Sequence, residues 1–459
     1  MSSKYDFVKV KVVRSQRAPS AISVTTPSSP AVTSSPPLSH YYILSRFAIA
    51  KVLSFSGLPD SVAQRIAMQL KKTLVDEGHL ELDDERLRQE LAVLMTNSGP
   101  EVGPQHIRYV NLLTTLNYRR LPVVVMVNGA PQSGKGQLAR RLMGRLNGNH
   151  VADVDVLWDV LSPIIPKTET TPSATGENAA HRKWLASEWL LALRQLVVPS
   201  ADVLTASGLT PDGYHPVATA ASAERDNNIT SNVPSRNNDR RGGLPVWLLD
   251  VIWDEFVSRC DLLEAVACRD ILDHTAKGKT MAVVGSYLFL PRLMRRLAVD
   301  RAAAALSTAP SDPENFIVIP YFVEHSDHQR RAWLRASLQV KGGRRRDLHD
   351  TSSRLTAAAR LDDDANILCA LARFIQERLQ LANRSQSETS STSPPMREVQ
   401  ATWLSGGESL DSVVDKMHQD VLTEIERALS SSPCSADDAT TLSSSAQVVA
   451  VSSPNYSLQ

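Results

Sequence analysis

Cysteine is scarce in this chain, and the four present, Cys260, Cys268, Cys369 and Cys434, lie far apart with no paired metal spacing. They read as reduced core or surface thiols of an intracellular protein rather than a disulfide framework. Aromatic residues make up only 5% of the chain, and neither charge predominates: the formal net charge is +1 over 459 residues. Such a balance creates no global field favouring nucleic acid or an anionic membrane surface, so neither is an expected partner. No apolar run approaches the length of a membrane span. The opening "MSSKYDFVKVKVV" alternates Lys9 and Lys11 with Val8, Val10 and Val12, which suits a half-buried strand and not a signal peptide. The expected location is therefore cytoplasmic. With 42% hydrophobic residues the chain is long enough for two or three domains.

The most informative stretch is "LPVVVMVNGAPQSGKGQLARRLMGRLN", Leu121 to Asn147. Val123 to Val127 form an unbroken β-branched and apolar run, as in a parallel strand covered on both faces. Gly129 and Gly134 bracket four residues, Ala130, Pro131, Gln132 and Ser133, and Lys135 follows. The next helix places Leu138, Leu142 and Leu146 on one face and Arg140, Arg141 and Arg145 elsewhere. A strand, a glycine-bearing turn and a helix in that order form a phosphate-binding loop, in which backbone N–H groups cradle phosphate oxygens and the lysine reaches the β- and γ-phosphates. The expected ligand is ATP, held by Gly129 through Gln137. Gly136 stands where many such loops place a Ser or Thr that ligates magnesium, and Gln137 does not restore the hydroxyl. Binding of Mg2+ must then come from waters, nucleotide oxygens or another side chain.

Around the loop the chain divides by composition. Residues 1–13 form an N-terminal strand, and residues 14–38, rich in Ser, Thr and Pro, form a disordered linker. Residues 39–118 are helical: "HYYILSRFAIAKVLSFSG" ends at Gly57, the next segment opens on a capping box of Ser61 and Gln64 and ends at Gly78, and "DDERLRQELAVLM" carries Leu87, Leu91 and Leu94. Three short helices thus make a small bundle, and a further helix spans residues 101–120. Residues 119–428 form the phosphate-loop domain, with flexible insertions near 200–243 and 384–400, and the tail from 429 to 459 is disordered. "HVADVDVLWDVL" reads as a strand ending in Asp153 and Asp155, followed by a helix. "TMAVVG" and "FIVIPYFV" read as further buried strands, so alternating strands and helices imply an α/β fold with a doubly wound parallel sheet. Carboxylates at a strand's C-terminal end face the ligand crevice of such a sheet. Asp155 is the acid expected to orient or deprotonate an acceptor, unless it only caps the helix beginning near Val156.

Other residues invite milder readings. Arg344 to Arg346 could be lid arginines, but they read more simply as a solvated charge run. Glu324, His325, His328 and His349 lack metal spacing and read as surface or strand-end residues. Trp184, Trp189, Trp247 and Trp253 sit at helical spacings, as core anchors do. Arg373 and Gln376 fit an exposed helical face.

From Lys4 to about Leu379 the chain resembles the 2-phosphoglycerate kinase family, including the plant low-phytic-acid P-loop proteins. The likeness rests on "KYDFVKVKVV", the helical region after His40, "RYVNLLTTLNYRRLPVVVMVNGAPQSGKG", "VADVDVLWDVL", "GKTMAVVGSYLFLP" and "ARFIQERL". The resemblance implies a P-loop NTPase fold of nucleotide-kinase type preceded by a small ATP-cone-like helical domain. It also implies transfer of the ATP γ-phosphate to a small phosphorylated or polyol metabolite. The family's loop carries Ser or Thr where Gly136 stands, its second functional strand ends in an acidic residue followed by glycine where Gly285 and Ser286 stand here, and a further acidic position downstream corresponds to Leu290. Asp155 matches the family's aspartate after the loop helix. These departures leave a second reading open, a nucleotide-binding regulatory or scaffold protein that has lost catalysis.

Overall fold

The computed structural model describes residues 8–13, 41–118, 121–148, 150–163, 176–209, 240–241, 244–307, 316–343, 351–387, 397–400 and 408–430. The linker 14–38, most of the stretch 200–243, Arg344 to Arg346, His349, Cys434 and nearly all of the tail lie outside them. The chain forms two compact units: residues 1–121, 145–147 and 418–459 in the smaller, residues 122–144 and 148–417 in the larger.

The smaller unit contains a three-stranded sheet. β1 (Lys11–Val13) pairs antiparallel with β2 (Tyr41–Ile43) and parallel with β3 (Glu81–Asp83). Four helices accompany it: α1 (Arg46–Phe55), α2 (Asp60–Asp76), α3 (Asp84–Thr96) and α4 (Pro104–Tyr118). The expected three-helix bundle therefore gains a sheet. "HYYILS" contributes its tyrosines to a strand, and α1 starts only after Ser45, whose hydroxyl accepts from the Ala48 N–H. The Ser61–Gln64 capping box is also corrected. α2 begins at Asp60 behind Pro59, without a side-chain cap, because the fixed φ of proline already starts the turn. Val62, Ile66, Leu70 and Leu74 of α2 join Val10, Val12 and Leu82 in one core.

The larger unit is built on a five-stranded, all-parallel sheet in the order β10–β9–β4–β8–β5. Its strands are β4 (Val123–Gly129), β5 (His150–Asp153), β8 (Met281–Gly285), β9 (Ile317–Glu324) and β10 (Arg397–Gln400); a short antiparallel pair, β6 (Arg240–Arg241) and β7 (Leu244–Pro245), stands apart. The helices are α5 (Lys135–Arg145), α6 (Val154–Leu161), α7 (Gly176–Gln195), α8 (Ala201–Ala206), α9 (Val246–Thr275), α10 (Leu290–Ser307), α11 (Asp327–Gly343) and α12 (Thr351–Ser387); α13 (Leu410–Ser430) contributes its first turns here and the remainder to the smaller unit. This α/β architecture is compatible with a nucleotide-kinase-like fold. Every residue of β4 is buried, as the apolar run requires for a central strand covered on both faces. Val124 and Met126 pack with Val283, Phe322 and residues of α7, α9, α10 and α12, while Val123, Val125 and Val127 project to the other face.

Two expected loops contain regular structure. Residues 201–206 form α8, whose Val203 and Leu204 are buried together with Leu209, so apolar anchors outweigh the polar composition around them. In the span 384–400, α12 continues to Ser387 and Arg397–Gln400 adds the edge strand beside β9. Trp189 is fully buried and Trp253 packs against Phe256, as expected, whereas Trp184 and Trp247 are exposed. No helix among the described residues is long and apolar enough to cross a membrane.

Candidate active site

The chain leaves β4 at Gly129, turns through Ala130 to Gly134, and enters α5 at Lys135. Gly129 permits the turn sterically: a Cβ there would lie 2.7 Å from the Val323 carbonyl oxygen and 3.0 Å from Ser133 Oγ. Gly134 has φ +75°, the left-handed region that glycine enters at little cost, and Gln132 adopts φ +64° despite its side chain. Neighbouring elements hold this strained turn. Asn128 accepts the Gly129 N–H at 2.6 Å and donates to the Leu288 carbonyl at 2.6 Å, joining the turns after β4 and β8. His325, just past β9, places its ring Nε2 3.1 Å from the Ser133 carbonyl.

Lys135 is almost completely buried. Its ammonium donates to Ser286 Oγ at 2.7 Å and to the Ala130 carbonyl at 3.3 Å, and lies 3.1 Å from Asp155 Oδ2. Ser286 in turn donates to Asp155 twice, from its backbone N–H at 2.7 Å and its hydroxyl at 2.9 Å. Asp155 is in the first turn of α6, not at the end of the strand; β5 stops at Asp153, which is itself the helix cap and accepts from the Val156 N–H. The alternative that Asp155 caps the helix is thereby removed.

The two aspartates are tuned in opposite directions. Burial alone would raise the Asp155 carboxyl, but the Lys135 ammonium and the two Ser286 donors outweigh it and hold the group below the usual carboxylate range. Burial and the Asp155 charge push Asp153 up, incompletely offset by the Val156 N–H, Lys135 and Arg140. Burial also lowers His325 to about 4, so at neutral pH its ring is uncharged and donates its Nε2 proton to Ser133. His325 is a strand-end residue, as expected, but a buried one: it follows Glu324, the last residue of β9, and turns inward to the loop rather than to the surface.

These groups border a cavity of about 220 Å³ lined by Pro131 through Gln137 together with Asp153, Asp155, Arg194 and Ser286. The structure thus brings together all of the expected loop residues from Pro131 onward and Asp155. Gly129 and Ala130 lie behind them as the buried start of the turn. Ser286 and Arg194 are additions: the first stood only where the resembling family has a glycine after its strand-end acid, and the second, at the end of a long helix, carried no motif. The post-β8 turn bearing Ser286 is further fixed by Glu264, which accepts from the Phe289 N–H and from Arg292 Nε, both at 2.6 Å. Leu290 is buried as the first residue of α10. Arg373 lies on an exposed face paired with Asp327 and Glu377, and Gln376 accepts from Arg330.

At the other end of the sheet His150, Asp270 and His274 converge. The two imidazoles stack face to face, centroids 3.9 Å apart at 9°, and both bond to Asp270. Parallel rings do not aim two in-plane lone pairs at one ion, so this is a closed polar knot between β5 and α9.

A curated relative is similar over part of this unusual chain's length: a 2-phosphoglycerate kinase of Methanopyrus kandleri, 26% identical over 127 residues. The match covers 28% of this chain and 38% of that protein. It supports a distant relationship to a kinase family. No family profile matches the chain, and no solved structure matches it.

Proposed function

We propose that the chain is an ATP-dependent small-molecule kinase, transferring the γ-phosphate to a small phosphorylated or polyol acceptor such as 2-phosphoglycerate or an inositol phosphate. The observation that carries this reading is Lys135: a nearly buried ammonium at a helix start, facing a cavity, in a glycine-bearing turn. Backbone N–H groups of the loop and the positive end of α5 favour a polyphosphate. Phosphoryl transfer is mainly positioning and charge neutralisation, so few side chains need take part chemically. When phosphate oxygens draw the Lys135 ammonium, Asp155 keeps its two Ser286 donors and offers its carboxylate to an acceptor hydroxyl, as a hydrogen-bond partner and proton acceptor.

The residues present also fit a divalent cation. A Cβ at Gly136 would lie 3.8 Å from Asp153 Oδ2, so a carboxylate stands beside the place of the absent hydroxyl, and it is the under-neutralised acid of the pair. Asp153 would hold Mg2+ there, and the ion would supply neutralisation of phosphate charge. The smaller unit, with its short sheet and four helices, fits the ATP-cone-like part of this proposal, and a cytoplasmic location accompanies it.

The second reading is a nucleotide-binding regulator. It is favoured by the absence of hydroxyls at Gly136 and Gln137, and by Gly285 where the resembling kinases carry an acid. Thermal unfolding with ATP, with and without magnesium, tests the shared premise. Wild type should be stabilised and a folded Lys135→Ala variant should lose most of that shift; equal shifts in both would refute the phosphate-loop reading. ADP release and acceptor mass, followed over a panel including 2-phosphoglycerate and inositol phosphates, separate kinase from regulator. Binding without turnover favours the regulator.

A further inference from the structure

We propose that Arg194 is the residue that grips the terminal phosphate of the nucleotide, an inference that rests on the reading of the loop as an ATP site. Arg194 closes the last turn of α7 and lines the same cavity as Lys135 and Gly134. It is anchored twice. Gln132, in the strained part of the loop, donates from its side-chain amide to the Arg194 carbonyl, and Asp159 of α6 pairs with Arg194 Nη2. Two residues on, Leu196 has φ +52°, so the helix stops and the chain turns away directly after the arginine has been presented.

Arg194 Nη1 is buried and has no hydrogen-bond partner. A buried donor on a cation is costly to leave unmet, and the fork of N–H groups suits two oxygens of one phosphate. The other cations near the site are already served. Lys135 is matched by Asp155 and Ser286. Arg259 gives its Nε to Glu255 at 3.0 Å, Nη1 to the Tyr287 hydroxyl at 3.3 Å and Nη2 to Ser187 at 3.0 Å, while its plane lies 4.5 Å from the Trp158 ring. Arg194 is therefore the cavity-lining cation, among the described residues, with an unused donor. A diphosphate held by the loop amides and Lys135 leaves that donor unmet. A third phosphate satisfies it, so Arg194 discriminates ATP from ADP and stabilises the phosphoryl group during transfer.

The test compares ATP and ADP affinities, by calorimetry on the full chain, for wild type, Arg194→Met and Arg194→Lys. Loss of a charged hydrogen bond should weaken ATP binding of Arg194→Met by about tenfold or more while ADP affinity stays within about twofold. Arg194→Lys, with charge but no fork, should fall between wild type and Arg194→Met for ATP alone. Retained ADP binding reports that each variant is folded. Equal loss for both nucleotides, or no loss for ATP, overturns the role of Arg194 while leaving the loop reading intact. A wild type that binds neither nucleotide overturns both.

Discussion

Where β5 begins, His150, Asp270 and His274 answer one another's polar atoms, whereas where β4 and β9 finish, Ser133 Oγ, His325 Nδ1 and Arg194 Nη1 are buried without partners. The same sheet supports both ends. The first group's polar atoms meet one another, whereas in the second Asn128, Gln132 and Asp159 hold the surroundings of an acceptor, His325 Nδ1, and a donor, Arg194 Nη1, that no other group among the described residues meets.

The strongest challenge to this contrast is Asp155→Asn. Transfer should fall at least about a hundredfold while ATP affinity changes little, because charge and proton acceptance are lost at nearly constant size. Undiminished turnover, measured as ADP release with a responsive acceptor, would remove Asp155 from the chemistry.

A second measurement uses pH. His325 takes up its proton at about 4 in the fold against 6.5 when unperturbed. Between those values the unfolded chain binds more protons than the native one, so this contribution is present near neutrality and declines as pH falls. Wild type should lose about 2 kcal/mol more than His325→Gln on going from pH 7 to pH 5, as read by urea unfolding. The amide can still donate to Ser133 but does not titrate. Parallel losses in both proteins would place the burial cost elsewhere.

The third expectation is a rescue. Asp153→Asn should weaken the magnesium dependence of ATP binding by about tenfold, and adding Gly136→Ser should restore part of it. The glycine site has room, with nothing nearer than 3.8 Å to an added Cβ. Magnesium titrations identical in all three proteins would move the ion's ligands elsewhere. The smallest effect belongs to the closed end of the sheet: His274→Ala should cost less than about 1 kcal/mol and leave nucleotide binding unchanged. A large loss of nucleotide affinity there would dissolve the contrast between the two ends.

Much of the larger unit was legible because its elements announce themselves locally. The run Val123–Val127, the glycines of the turn and the leucine stripe of α5 each constrain a few consecutive residues, and strand and helix follow. What remained hidden depends on residues far apart in sequence. Ser286 carries no motif of its own, and its role comes from its hydroxyl and N–H bracketing Asp155, 131 positions away. Tyr41–Ile43 and Arg397–Gln400 become strands only through their partners, and no local propensity distinguishes such short segments from helix or loop. Only the end of the strand was misplaced, by two residues: Asp153 closes β5 as expected, and Asp155 belongs to the helix. Asp-Val-Asp fits either a strand end or a helix start, and the cap hydrogen bond decides between them.

The Lys135–Asp155 pair has a further consequence for selectivity. The Lys135 ammonium already has a counter-ion within the fold, so any anion drawn to it must compete with a carboxylate the protein itself carries. A small anion such as chloride gains little by that exchange. On the proposed nucleotide reading, a polyphosphate reaching loop amides, helix end and lysine together would offer enough simultaneous contacts to displace the internal carboxylate. The pair would then act as a charge-number filter, favouring multivalent ligands over simple anions.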